Sequence, residues 1–216
     1  MNEAAPKSRH FSKTSTTALK IFGVQQNHPT VDNTTVTQTT ISAPLIPSSA
    51  ISERVGQLAS SISEAYAESE PILVPILHGA FVFAADLVRA IQIPVSIDFL
   101  AIRSYAGQAS TGRVQILKDL ERDIKDRDVL IIEDIVDSGQ TLTTIIDMLS
   151  ARQPRTVEVV TLLNKEIRRE ANITARWIGF EIEDRFVVGY GMDLDHRYRN
   201  LPYIAEATTP PLHHPN

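Results

Sequence analysis

The chain has 216 residues, 43% of them hydrophobic, which is enough to bury a sizeable core in one domain and leave room for an appendage. It contains no cysteine, which excludes disulfides, thiolate metal sites and a cysteine nucleophile and fits a cytoplasmic setting. A net charge of -5 offers no field for a nucleic-acid backbone, and no apolar run reaches the roughly 18 to 20 residues of a membrane span, so neither nucleic acid nor membrane is expected as a partner.

Residues 1–46 read as a disordered Ser/Thr-rich extension. The tract Thr34 to Thr40 has Val36 as its only apolar residue, and its surroundings show neither helical nor strand period. Lys7, Arg9, Lys13 and Lys20 would suit an organellar transit peptide, Glu3 and Asp32 weigh against one, and a dispensable tail is the favoured reading.

Beyond it, Val55, Leu58, Ala59, Ile62, Ala65 and Tyr66 recur at helical spacing behind Ser52 as N-cap. Ile72 to Leu77 predicts a buried strand, His78-Gly79 a turn, and Phe81 to Ile91 a helix. Val95 to Ile102 predicts a second strand, and the small, polar, glycine-bracketed stretch Ser104 to Gly112 suits a mobile lid. Val129-Leu130-Ile131-Ile132 has the pattern of a parallel strand covered on both faces, Thr141 to Leu149 follows as a helix, and Val157 to Leu163 adds a further buried strand. Strands alternating with helices predict an α/β domain with a mainly parallel sheet, whose ligand site lies beyond the carboxyl ends of the strands, in the loops after Leu77, Ile132 and Leu163.

The densest chemistry follows Ile132. Glu133, Asp134 and Asp137 precede Ser138-Gly139-Gln140-Thr141, where backbone N–H groups and hydroxyls at a helix N-terminus can hold a phosphate. Asp137 and Ser138 could simply cap that helix, which is worth about 1 kcal/mol. Capping leaves Glu133 and Asp134 unexplained, because adjacent acids after an apolar strand repel one another unless they meet a cation or a diol. A phosphorylated sugar meets both needs. No P-loop and no GxGxxG offers a competing nucleotide site.

The run Val129 to Thr141 resembles the binding motif for 5-phosphoribosyl 1-pyrophosphate (PRPP) of the phosphoribosyltransferase family, a buried strand ending in two acids followed by Asp-Ser/Thr-Gly and a helix. The resemblance implies that Glu133 and Asp134 bind the ribose hydroxyls directly or through magnesium. It also implies that Ser138, Gly139, Gln140 and Thr141 cradle the 5-phosphate and that Asp137 faces the base.

Three downstream segments narrow the base. They are Leu162-Leu163-Asn164-Lys165, Phe186-Val187-Val188-Gly189-Tyr190 with Asp193, and Arg199 before Leu201-Pro202. Taken singly, Lys165 is an ordinary solvated lysine and Phe186 an ordinary core aromatic. Together they resemble the hypoxanthine/guanine phosphoribosyltransferases over roughly Ile72 to Ala205.

That resemblance implies a type I phosphoribosyltransferase fold with a small hood, a domain over residues 47–207, a flexible tail over 208–216, and a homodimer or homotetramer. Lys165 would donate to the 6-oxygen of a 6-oxopurine, which suits a donor-only ammonium. Phe186 would stack on the ring, the Val187 backbone would read its edge, and Asp193 and Arg199 would bind magnesium-pyrophosphate, making Glu133, Asp134 and Asp193 the metal candidates. Leu77-His78-Gly79-Ala80 matches the pyrophosphate loop, with His78 where a lysine is common and with a preceding peptide that can be cis. Ser104-Tyr105 resembles the start of the closing loop. Two rivals stay open: a PRPP-sensing regulator that binds nucleic acid, disfavoured by the charge, and an enzyme for another base such as xanthine.

Overall fold

The computed structural model describes residues 39–104, 114–165 and 175–208. Strand β1 (Thr40–Ile46) leads into helix α1 (Ser48–Ala65), strand β2 (Ile72–Leu77) and helix α2 (Phe81–Ala90). Strands β3 (Ser96–Ile97), β4 (Leu100–Ser104), β5 (Val114–Lys118) and β6 (Asp128–Val136) precede helix α3 (Gln140–Ser150). Strands β7 (Thr156–Asn164), β8 (Trp177–Glu181), β9 (Val187–Val188) and β10 (Ile204–Thr208) complete the order.

Seven strands form one sheet in the order β5-β4-β2-β6-β7-β8, with β3 also paired to β2. All neighbours in it run parallel except the β4–β5 pair. The apolar runs suit burial on both faces. Leu73, Leu130, Ile132, Val160 and Leu162 pack with α1 and α2 on one side, while Ile72, Val74, Val129, Ile131 and Val159 pack with α3 on the other. Ile72, Leu73, Leu130, Ile131 and Ile132 lose essentially all solvent contact, each worth about 1.5–3 kcal/mol of transfer free energy.

The strand expected from Val95 to Ile102 is broken in two. At the break the Asp98 N–H still donates to Leu73 O of β2, while its carboxylate accepts the N–H groups of Phe99, Glu121 and Arg122, so the Phe99 donor goes to a side chain rather than to a neighbouring strand. A smaller antiparallel sheet, β1-β10-β9, forms the hood.

Strand β1 corrects the extension expected to reach residue 46. Thr40 lies opposite Thr208 and Ile46 opposite Ile204, and only Ile46 of β1 is buried. Ile41, Ala43, Leu45 and Ile46 make the segment half apolar, yet all but Ile46 keep solvent contact, so pairing to β10 makes it a strand, a contribution that side-chain period does not display. Residues 1–38 lie outside the described residues, as does the expected tail from residue 209, while Thr208 closes β10.

Candidate functional site

The carboxyl end of β6 carries the acids. The strand runs to Val136, so Glu133 and Asp134 sit on it rather than in the loop expected after Ile132. Burial, then the charge of Asp134, pushes the Glu133 carboxyl well above the usual carboxylate range, and its Oε2 is buried without a hydrogen-bond partner. Burial also pushes Asp134 up to about 6, against the opposing pull of the Ile135 N–H, which it accepts at 2.9 Å, and of Arg199. Among the described residues neither acid forms a salt bridge. A Cβ on Gly79 would lie 1.8 Å from Asp134 Oδ2, so only glycine lets the turn after β2 approach this carboxylate.

Past Val136 the chain turns through Asp137 and Ser138 into Gly139, whose φ of 81° places it in the left-handed region at the N-cap of α3. No side chain caps the helix there. Ser138 Oγ accepts only a long 3.4 Å contact from the Gln140 N–H, and Gly139 O accepts from Thr143 N–H and Oγ1 at 2.9 Å. The capping role open to Asp137 and Ser138 is therefore not what organises this turn, and the N-terminus of α3 faces a cleft of about 290 Å³ lined by Glu133, Asp134, Asp137, Ser138, Gly139 and Thr141. Gln140 lies in the cradle sequence but does not line the cleft.

A second cleft of about 380 Å³ adjoins it, lined by Lys165, Phe186, Val187, Met192 and the pair Asp193 and Arg199 among others. Lys165 follows β7 directly, and its N–H donates to Val136 O at 2.9 Å, which ties the end of β7 to that of β6 beside Asp137. Its side chain is only 8% exposed, with Nζ 3.7 Å from Asp137 Oδ2 and 3.5 Å from Asp184 Oδ1. Phe186 is a core residue by type, yet it is 53% exposed at the mouth of this cleft, and Val187 enters β9 behind it.

His78 and Gly79 also line the second cleft, after a cis peptide between Leu77 and His78. Asp193 pairs with Arg199 at 2.6 Å and accepts the His196 N–H at 2.8 Å, while Arg199 Nη1 donates to Gly191 O at 2.5 Å. Gly191, at φ 102°, lies so close to the turn that a Cβ would meet Gly79 O at 2.3 Å. The hairpin bearing Asp193 and Arg199 is thereby seated on the His78-Gly79 turn.

The two clefts share Gly79, Asp134, Ile135 and Asp137, so Asp137 stands where they meet. Ser104 ends β4, and Tyr105 with the rest of the expected closing loop lies outside the described residues. Asp184 is the residue that sequence reasoning passed over; inside Glu183-Asp184-Arg185 nothing separates it from a solvated charge run.

Glu133 and Asp134 suit a hard divalent cation that shares oxygens with a ligand, because their charge lacks a direct partner. Asp193 is already engaged by Arg199, and among the described residues no group of three or more His, Cys, Asp or Glu forms a self-sufficient metal site. The residues present fit a magnesium ion carried with its substrate better than a resident one.

Residues 47–195 match the phosphoribosyl transferase domain family. The chain is 46% identical over 165 residues to the hypoxanthine phosphoribosyltransferase of Salmonella typhimurium, covering 75% of this chain and 93% of that protein. It superposes on a hypoxanthine-guanine phosphoribosyltransferase crystal structure from Bacillus anthracis with a TM-score of 0.76 at 40% identity, over 80% of this chain and 100% of that one. A third similarity is to a lysine-to-arginine mutant of the Trypanosoma cruzi hypoxanthine phosphoribosyltransferase complexed with the product IMP, with a TM-score of 0.74 at 32% identity over 78% of this chain and 91% of that one.

Proposed function

The chain belongs to the phosphoribosyltransferase family, and on that premise we propose that it joins hypoxanthine, and guanine beside it, to PRPP, giving IMP or GMP and pyrophosphate in purine salvage. The observation that carries the reading is the meeting of the two clefts at Asp137. One has the uncapped helix N-terminus and the acid pair suited to a phosphorylated sugar, and the other has an ammonium and an exposed aromatic suited to an oxopurine.

In this reading the 5-phosphate sits against residues 138–141, where the N-terminus of α3 and the left-handed Gly139 offer N–H donors. Lys165 donates to the 6-oxygen, which a 6-amino group of adenine would not accept. Phe186 covers the ring face, and the Val187 backbone meets its edge. Asp137 takes the purine N7 proton as N9 attacks the sugar carbon, a general-base step worth about 10² to 10⁴ in rate. Arg199, held by Asp193 and Gly191, and the backbone of His78-Gly79 receive the departing pyrophosphate. His78 stands where a lysine is common, and the backbone N–H groups of the turn are the donors offered to that contact.

Magnesium held between Glu133, Asp134 and PRPP would neutralise charge on the leaving group. Asp193 is its weaker protein partner, since it must first part from Arg199. A cytoplasmic site of action and a homodimer or homotetramer belong to the same proposal, as the resemblance of the sequence implies. Among the described residues no helix is long and apolar enough to cross a membrane. The catalytic domain runs from β1 to β10, with the residues before β1 as an appendage.

The test is an assay with PRPP and hypoxanthine, guanine, xanthine, adenine and uracil, with and without magnesium, following nucleotide and pyrophosphate. Turnover of the 6-oxopurines that disappears without magnesium supports the reading. Turnover of xanthine alone would move the enzyme to another base, and PRPP binding without turnover of any base would favour a regulator.

A further inference from the structure

We infer that Asp184 is a positioning residue for the base site: its carboxylate keeps the Lys165 ammonium apart from Asp137, so that the one can donate to the base and the other can accept from it. The inference rests on the proposed role of Lys165 toward the 6-oxygen.

The observation is a buried ammonium between two carboxylates. Lys165 Nζ lies 3.5 Å from Asp184 Oδ1 and 3.7 Å from Asp137 Oδ2, while the lysine side chain is 8% exposed and those of Asp184 and Asp137 are 34% and 43% exposed. A charge-assisted hydrogen bond between such groups settles at about 2.7–2.9 Å. Both separations exceed that, so the ammonium is drawn from two sides without closing onto either acid. Asp137 and Asp184 have further partners of their own, so Lys165 is shared between two anchored acids and committed to neither, and losing the charge of one tips it toward the other.

Asp184 is also placed to act without touching substrate. It lies in the segment between β8 and β9, two residues before Phe186, and does not line the cleft that Lys165, Phe186 and Asp137 share. Asp137, by contrast, lines both clefts and must exchange a proton with the base in the proposed reaction. As Asp137 takes up that proton it stops balancing the ammonium, and Asp184 remains as the counter-charge that keeps Lys165 from becoming an unpaired buried cation. Asp184 thus has one effect before the base arrives, holding the donor open, and another while the proton moves.

Without the Asp184 charge, Lys165 should close onto Asp137, occupying the donor and the acceptor that the base needs. The experiment compares Asp184→Asn, Asp184→Glu, Lys165→Gln and the Lys165→Gln/Asp184→Asn double variant for kcat, for KM of hypoxanthine at saturating PRPP, and for KM of PRPP at saturating hypoxanthine. Asp184→Asn is expected to raise KM of hypoxanthine about five- to tenfold and lower kcat severalfold, with KM of PRPP within about twofold, and Asp184→Glu should recover most of the loss. In the Lys165→Gln background the same Asn substitution should add less than about twofold, since no ammonium is left to misplace.

An unchanged KM of hypoxanthine in Asp184→Asn, or an undiminished effect in the Lys165→Gln background, would overturn the inference. A parallel rise in both KM values would also overturn it, by showing a general loosening of the loop. If Lys165→Gln alone leaves hypoxanthine affinity intact while Asp184→Asn weakens it, the contact of Lys165 with the 6-oxygen fails, and the inference built on it fails with it.

Discussion

Asp134→Asn should stabilise the ligand-free protein while disabling it. The substitution keeps the shape of the side chain and an oxygen to accept the Ile135 N–H, but removes a charge that burial disfavours. A carboxyl moved from 3.8 to about 6 holds its proton more tightly in the native state by about 3 kcal/mol, which is the destabilisation of the folded protein once the group is ionised in both states.

The sign follows from the raised value. The stability that this group contributes is present below 3.8 and lost as pH rises to about 6, so wild type carries the full deficit at pH 8. The Asn variant has no such deficit and should melt about 6–12 °C above wild type at pH 8, at roughly 2–4 °C per kcal/mol for a chain of this size, the gap shrinking as pH is lowered from 7 toward 4. Magnesium and PRPP should reverse the order, because they stabilise the wild type in proportion to their affinity and the variant has lost a binding group. Thermal unfolding from pH 4 to 8, with and without magnesium-PRPP, reads all of this. A variant less stable than wild type at pH 8 without ligand, or a gap that does not change with pH, would refute the claim that an ionised Asp134 is a native-state cost relieved by the substrate complex.

Asp137→Asn should lower kcat by about 10² to 10⁴ and leave KM of PRPP within a few-fold, as steady-state kinetics would show. Lys165→Ala should raise KM of hypoxanthine by about tenfold or more without a matching change for PRPP. Gly79→Ala should abolish turnover and magnesium-PRPP binding by calorimetry, because its Cβ would fall 1.8 Å from Asp134 Oδ2. The Arg155 guanidinium above all, helped by the Thr156 hydroxyl, holds Asp128 down to about 2 against its burial. Arg155→Ala should therefore lower Tm at pH 7, with the loss fading as pH falls from about 4 toward 2, where wild type loses that contribution too.

The α/β core was legible because its strands are covered on both faces. Ile72 to Leu77, Val129 to Ile132 and Val157 to Leu163 are apolar runs too short for helices, and each lies in the parallel sheet. The hood was less so: β1 is mostly exposed and gains its structure from pairing with β10, a partner about 160 residues away that no local pattern announces. The break at Asp98 was equally hidden, since it depends on N–H groups from residues 121 and 122.

At the site, Glu133, Asp134 and Asp137 stood out as acids at the end of an apolar strand, a costly place for charge without a ligand. Lys165 and Phe186 gained meaning only from the company of the other motifs. Asp184 had no local mark at all; its significance comes from the approach of β7 to the segment after β8, which leaves Lys165 between two acids.

The most direct test of the central claim is a crystal structure of the chain with IMP. The account predicts the phosphate against the amides of residues 138–141, the ribose beside Glu133 and Asp134, Asp137 facing N7, and the 6-oxygen within hydrogen-bond reach of Lys165 Nζ under Phe186. A nucleotide bound with its base away from Lys165, or with its phosphate in the cleft of Asp193 and Arg199, would contradict it.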